Sequence, residues 1–262
     1  MMKVKDVLHF LETKFPLVLA SDFDQGKLGL QIGHLETKVE RIIVALDVTE
    51  MVIDEAINEK AELIICHHPF LFNPVLSINY QEPLGRKLFK VIKNNLNIIC
   101  MHTNIDVSNN GMNDYLAALL KLNDVNITTS TIDKSSFLRT GTINKKTLRK
   151  YAYEVSKVFG EDRIRVVGNL DKTIYKVGIV GGSGASLMKE AKNVGCDCFI
   201  TGEIKHNHAL EALEMDLALI EVSHNIENLF MKKLVNDLKV TFPNLIFMAT
   251  KTQTNPFIIL SN

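Results

Sequence analysis

The sequence predicts an α/β fold of two similar halves, each a mostly parallel sheet with flanking helices. Short β-branched runs alternate with amphipathic helical stretches along most of the chain. The same order also occurs twice: RIIVALDV, helix, ELIICHHP, helix, LNIICMHTNID in the first half, then YKVGIVGG, helix, CDCFITGEIKH, helix, LALIEVSHNIE in the second. Strand, helix, strand implies parallel pairing through a right-handed crossover. Two copies of a three-strand unit read as an internal duplication.

The elements follow in order. Residues 3–15 put Val4, Val7, Leu8 and Leu11 on one helical face, stopped before Pro16. Residues 41–48 form a strand, 50–61 a helix, and 62–66 a strand ending at His67, His68 and Pro69. Residues 83–95 turn Leu84, Leu88, Val91 and Ile92 inward and lead into a strand at 96–101, followed by His102, Thr103, Asn104, Ile105 and Asp106. A helix at 114–121 closes this half. Between 123 and 145 the chain is rich in Thr, Ser, Asn and Asp and has little periodicity beyond one strand at 137–143. The expected division is therefore 1–124, a connecting segment 125–144, and 145–262. The second half reads as helix 145–159, strand 163–168, strand 176–180 opening onto GGSG, helix 185–194, strand 196–201, helix 206–215, strand 217–222, helix 227–238 and a closing strand 244–250.

Composition narrows the function classes. Across 262 residues, 46% are hydrophobic and 23% charged, the balance of a chain that buries a full core. Thirty basic against thirty acidic residues leave no net charge, which disfavours bulk binding to nucleic acid or anionic membrane. The densest basic run, Lys145, Lys146, Arg149 and Lys150, reads as a solvated helix face rather than the lining of a DNA-encircling ring. No apolar run reaches the roughly 18 residues of a membrane span, so the expected location is the cytoplasm. Cys66, Cys100, Cys196 and Cys198 lie in apolar runs with no CxxC spacing and read as packed free thiols.

Six of the eight histidines, His67, His68, His102, His206, His208 and His224, fall just beyond the carboxyl ends of expected strands. In open parallel sheets that edge is where ligands bind. Asp106 lies four residues after His102, and Glu227 three after His224. Each acid has a plainer reading, Asp106 as a cap and Glu227 as a helix-dipole charge. Taken together, imidazoles and carboxylates without thiolate are what borderline divalent ions take, and two neighbouring ions would support hydrolysis. The GGSG turn lacks the GK[ST] ending of a phosphate loop and reads as a tight turn capped by Ser183 or Ser186. Lys205 either holds an anionic group near the metals or is simply solvated; both readings stay open.

Several stretches carry a resemblance: GLQIG at 29–33, CHHPFLF at 66–72, HTNIDVSNNGMNDYLA at 102–117, GIVGGSG at 178–184, ITGEIKHNHAL at 200–210 and EVSHNIE at 221–227. The chain resembles the dinuclear metal-centre family of GTP cyclohydrolase 1 type 2 homologues, also called NGG-interacting-factor-like proteins, in the short form without an inserted domain. The resemblance implies two divalent ions (Zn, Fe, Mn, Ni or Mg) held by His67, His68, Asp106, His224 and Glu227, with Asp106 and Glu227 bridging. It also implies a homohexameric ring. His102 falls where the family also tends to have a histidine close to the metals, either behind a ligand or substituting for one; His102 and Glu203 are then the candidates for proton transfer in a hydrolase of a small nucleotide-like or phosphorylated substrate. The competing class is a noncatalytic, ring-forming metal-binding or regulatory adaptor, which needs no open coordination position. The chain departs from the family in having no Trp and in carrying Asp22, Phe23 and Asp24 where many relatives have Trp-Asp-Asn. It also has Glu203 where many relatives have Asp.

Overall fold

Eleven strands and nine α-helices are built from the described residues of this computed structural model, which are 1–129, 136–252 and 255–258. The first part of the chain runs α1 (Val4–Lys14), β1 (Gly29–Ile32), β2 (Arg41–Ala45), α2 (Glu50–Asn58), β3 (Leu63–Cys66), α3 (Pro83–Lys93) and β4 (Asn97–Cys100). Next come α4 (Thr103–Val107), α5 (Met112–Leu119), β5 (Asn123–Thr128), β6 (Leu138–Thr147), α6 (Leu148–Phe159), β7 (Arg165–Val167) and β8 (Thr173–Ile179). The remainder is α7 (Met188–Asn193), β9 (Cys198–Thr201), α8 (His206–Glu214), β10 (Ala218–Glu221), α9 (Asn228–Thr241) and β11 (Ile246–Ala249). These elements pack as two units, Met1–Ile105 with Met231–Asn262, and Asp106–Phe230, the chain crossing from one to the other within α4 and α9.

The first unit is a five-stranded sheet in the order β1-β4-β3-β2-β11. All of its pairings are parallel except the β1 edge, which runs antiparallel to β4. Its helices start where local chemistry favours them. Thr49 accepts from the Val52 amide at 3.2 Å to cap α2, and Pro83 opens α3, where its missing N–H is not needed. Ile43, Ile64 and Ile98 from three parallel strands pack with Val52, Ile53, Leu88 and Val91 from α2 and α3 into one apolar core. Ala45 is level with Cys66, and Cys66 with Cys100, so β2, β3 and β4 end flush and deliver the residues after them to one sheet edge.

The second unit is a six-stranded sheet in the order β5-β6-β8-β9-β10-β7. Here parallel pairing is confined to β8-β9-β10, while β5, β6 and β7 run antiparallel to their neighbours. It is therefore a mixed sheet rather than a mostly parallel one, because only its central strands are linked by crossover helices. The duplicated pattern still holds within it. β2-β3-β4 and β8-β9-β10 are both parallel, joined by single helices, and in each unit the strand before the triplet (β1 or β7) pairs antiparallel with its last member.

Several features differ from the sequence expectation. The closing strand expected in the second half, β11, pairs in parallel with β2 and so belongs to the first sheet. The units divide within α4 and α9 rather than across 125–144, since α5 packs on β6 and β8 of the second sheet. Part of that expected connecting segment, residues 130–135, lies outside the described residues. Most of the remainder is strand, with β5 as an exposed edge and β6 running on to Thr147, whose hydroxyl accepts from the Lys150 amide and delays the start of α6 to Leu148.

Candidate functional site

In the first unit, His67 and His68 leave β3 and His102 follows β4. One ligand-capable atom from each of these three residues lies within 4.8 Å of the others. The ring centroids are 5.1 Å apart for His67 and His68, and 5.0 Å apart for His67 and His102. Each ring is anchored through Nδ1. His67 Nδ1 donates to the Met101 carbonyl at 3.0 Å, His68 Nδ1 to Asp47 Oδ1 at 2.7 Å, and His102 Nδ1 to Asp24 Oδ2 at 2.8 Å. A carbonyl or carboxylate oxygen can only accept, so each bond places the proton on Nδ1 and, in the neutral ring, the lone pair on Nε2.

Asp24 is 1% exposed and also receives the hydroxyl of Thr103 at 2.5 Å and its amide at 3.2 Å. Burial works to raise its pKa, but the bonds from His102 and Thr103 outweigh burial and hold it below the usual carboxylate value. Asp24 thus stays ionised beside His102.

The second unit carries the late motif. His224 follows β10 in a short helical turn, His224–Glu227, capped by the Ser223 hydroxyl, which accepts from the Asn225 amide at 3.1 Å. His224 Nδ1 donates to Glu203 Oε1 at 2.7 Å, while Nε2 comes within 3.3 Å of Glu227 Oε2. His224 is therefore anchored through Nδ1 like the other three. The backbone of Gly182 closes in on the same pair: at φ +58° it leaves the space where a Cβ would meet Glu227 Oε1 at 2.5 Å and His224 Nε2 at 3.3 Å. Gly202 donates its amide to the Gly182 carbonyl at 2.8 Å and fixes that approach.

Of the expected ligands, His67 and His68 stand together in the first unit with His102, and His224 and Glu227 stand together in the second. Asp106 is buried on α4, and its carbonyl accepts from the Asn113 side chain at 3.1 Å. His102 and Glu203, expected as proton-transfer groups, both form imidazole–carboxylate pairs, His102 with Asp24 and Glu203 with His224. His206 and His208 lie in the first turn of α8 instead of joining either set.

The sequence reading missed Asp24 and Asp47. Asp47 was within reach of it, as an acid just past a strand end, whereas Asp24 sits in a short 3₁₀ turn, Asp22–Asp24, with no periodic signal. Ser183 and Ser186 do not cap the turn after β8. Thr201 holds it instead, accepting from the Gly184 amide at 2.9 Å and donating to the Gly182 carbonyl at 3.1 Å.

Each unit presents groups that suit a divalent ion. His67, His68 and His102 in the first, and His224 beside buried Glu227 in the second, have Nδ1 tied to oxygen and the lone pair on Nε2, as metal-ligating histidines do. The four cysteines are buried free thiols; Cys66 and Cys100 lie in β3 and β4, and desolvation pushes Cys196 up to about 12.

A family model described as Duf34/NIF3 (NGG1p interacting factor 3) matches residues 2–256. A Clostridium acetobutylicum protein named GTP cyclohydrolase 1 type 2 homolog is 34% identical over 85% of this chain and 84% of its own length. A Clostridium perfringens protein of the same name is 33% identical over 98% of this chain and 99% of its own. Among solved structures, a Bacillus cereus protein related to NIF3 superposes with a TM-score of 0.93 at 25% identity, covering 99% of both chains. A Staphylococcus aureus protein superposes at 0.91 with 28% identity and the same coverage. Among the described residues, no helix is long and apolar enough to cross a membrane.

Proposed function

We propose, since the chain belongs to the Duf34/NIF3 (NGG1p interacting factor 3) family, that it is a divalent-metal-dependent hydrolase of a small nucleotide-like or phosphorylated substrate. In this reading His67, His68, Asp106, His224 and Glu227 hold two divalent ions. The observation that carries it is the common anchoring of His67, His68, His102 and His224 through Nδ1, which aims four Nε2 lone pairs without a thiolate among them. Such ions, when bound, supply Lewis acidity that acidifies water and offsets negative charge on a substrate oxygen.

The protein's own groups then have distinct tasks. Asp24 accepts the Nδ1 proton of His102 and keeps that ring in one tautomer, so the Nε2 lone pair is the group that would take up and return a proton. Glu203 has its Oε1 engaged with His224 and positions that ring. Ring opening of GTP is one named candidate reaction, on the strength of what the Clostridium relatives are called.

Metal analysis of the purified protein, followed by a screen of nucleotides and phosphoesters with wild type and Asp106→Ala, tests this reading. Two bound ions per chain and a turnover abolished by Asp106→Ala are expected. Turnover indifferent to Asp106 would defeat the hydrolase reading and leave the adaptor class. A homohexameric ring belongs to the same proposal, and light scattering that gave a monomer would remove it.

A further inference from the structure

We propose that a pocket in the second unit, bordered by Glu203, binds the phosphoryl group of a small phosphorylated ligand through Lys205, Ser183 and Ser186. This deepens the hydrolase reading and depends on it only for the claim that the ligand is a substrate. The pocket is an open cleft of about 450 Å³ lined by Arg165, Ser183, Ser186, Glu203, Lys205 and His208, among others.

Both carboxylates on its wall carry hydrogen bonds, Glu221 on both oxygens and Glu203 on Oε1. Glu221 takes Arg165 Nε at 3.0 Å and the Ile204 amide at 3.1 Å, and Glu203 takes His224 Nδ1 at 2.7 Å. Arg165 is held in place through Nε and Nη2, the latter also donating to the Ile204 carbonyl at 3.0 Å, and so adds a fixed positive charge to the wall.

What remains is a set of donors. Lys205 makes no ion pair among the described residues, and the Ser183 and Ser186 hydroxyls have no hydrogen-bond partner among them. The turn that carries these serines is held by Thr201, so neither hydroxyl is consumed in shaping it. His208 adds a buried Nδ1 atom with no partner among the described residues.

An ammonium and two hydroxyls arriving from two separate chain segments suit a group with three accepting oxygens and more than one negative charge. A carboxylate offers two oxygens in one plane and fits such a set less well. The pocket is also larger than a phosphoryl group, leaving room for the molecule that bears it. Because Glu203 borders the pocket and also anchors His224, a ligand seated there lies beside the residue that positions an expected metal ligand.

The test is titration of the protein as purified with inorganic phosphate, followed through the His208 imidazole resonances and by calorimetry, and repeated after chelation. Phosphate should move the His208 signals with and without metal. Lys205→Ala should weaken the affinity at least tenfold, Lys205→Arg should restore it to within threefold, and Lys121→Ala should leave it unchanged, with melting curves confirming that all fold. Phosphate that moves no His208 signal, that binds only before chelation, or that binds Lys205→Ala as well as wild type overturns the proposal. Binding that survives chelation and needs Lys205, in a protein found to lack hydrolase activity, would keep the pocket and reject only its role as a substrate site.

Discussion

Glu203 accepts the Nδ1 proton of His224 at 2.7 Å and thereby decides which nitrogen of that ring faces Glu227. The glutamate side chain is 55% exposed, so its removal should spare the fold while releasing the imidazole. Glu203→Ala is expected to lower divalent-metal affinity about 10–100-fold, as loss of a carboxylate behind a ligating histidine does. Glu203→Gln, which keeps an accepting oxygen, should lose less. Chelator competition on the folded variants measures both, and equal affinities across the series would refute the positioning role.

Gly182 and Gly160 both have positive φ, +58° and +69°, but only the Cβ position of Gly182 is filled by other atoms. Substituting alanine at either costs about 1 kcal/mol of backbone strain. Gly182→Ala should also displace Glu227 and reduce metal content, whereas Gly160→Ala should bind metal normally at a similarly lowered melting temperature. Normal metal content in Gly182→Ala would show that the close approach of the backbone is irrelevant to the acid.

Arg139 is completely buried and donates to Asp114 and, at 3.0 Å, to the Val107 carbonyl. Arg139→Leu removes the charge that Asp114 and the Val107 carbonyl are arranged around. A loss of about 1–3 kcal/mol in denaturant unfolding is expected, from the carbonyl left without its donor and from Asp114, which at 27% exposure is partly rehydrated. Arg139→Lys should rescue little of it, because a single ammonium cannot replace a guanidinium that bonds several acceptors at once.

Asp237 joins α1 to α9, taking Lys14 at 2.6 Å and Lys233 at 2.7 Å. Burial pushes its pKa up, but the bonds from the two lysines outweigh burial and hold it below the ordinary 3.8. On acidification the unfolded chain therefore takes up this proton first. The stabilisation is complete above 3.8 and is lost as pH falls further, through the folded-state value. Asp237→Asn should be less stable than wild type at neutral pH, and the gap should close below pH about 4 and shrink in high salt. Unfolding curves at several pH values measure this, and a gap independent of pH would contradict it.

Much of the site was legible because strand ends are legible. A β-branched run followed by His67 and His68, or by His224, fixes the chain position of a residue at a sheet edge from local pattern alone. The partners behind the imidazoles are a different matter. Asp24 lies 78 residues before His102 and Asp47 lies 21 before His68, and no local periodicity links either pair. β5 escaped notice for a related reason: its residues are almost all exposed, so the short alternation of Val125 and Ile127 covers no core and the strand is held by backbone pairing with β6.

By itself the sequence determined the alternation of strands and helices, the repeat of a three-strand unit, and the placing of histidines and acids just past the strands, because periodicity and turn chemistry act over a few residues. Only the tertiary structure decided that β11 joins β2 in the first sheet, that the second sheet is mixed, that Thr201 rather than a serine holds the turn after β8, and which oxygen fixes the proton on each imidazole. Those outcomes depend on contacts between segments far apart in the chain. Many apolar runs and many carboxylates could serve locally, and the packing of the whole unit selects among them.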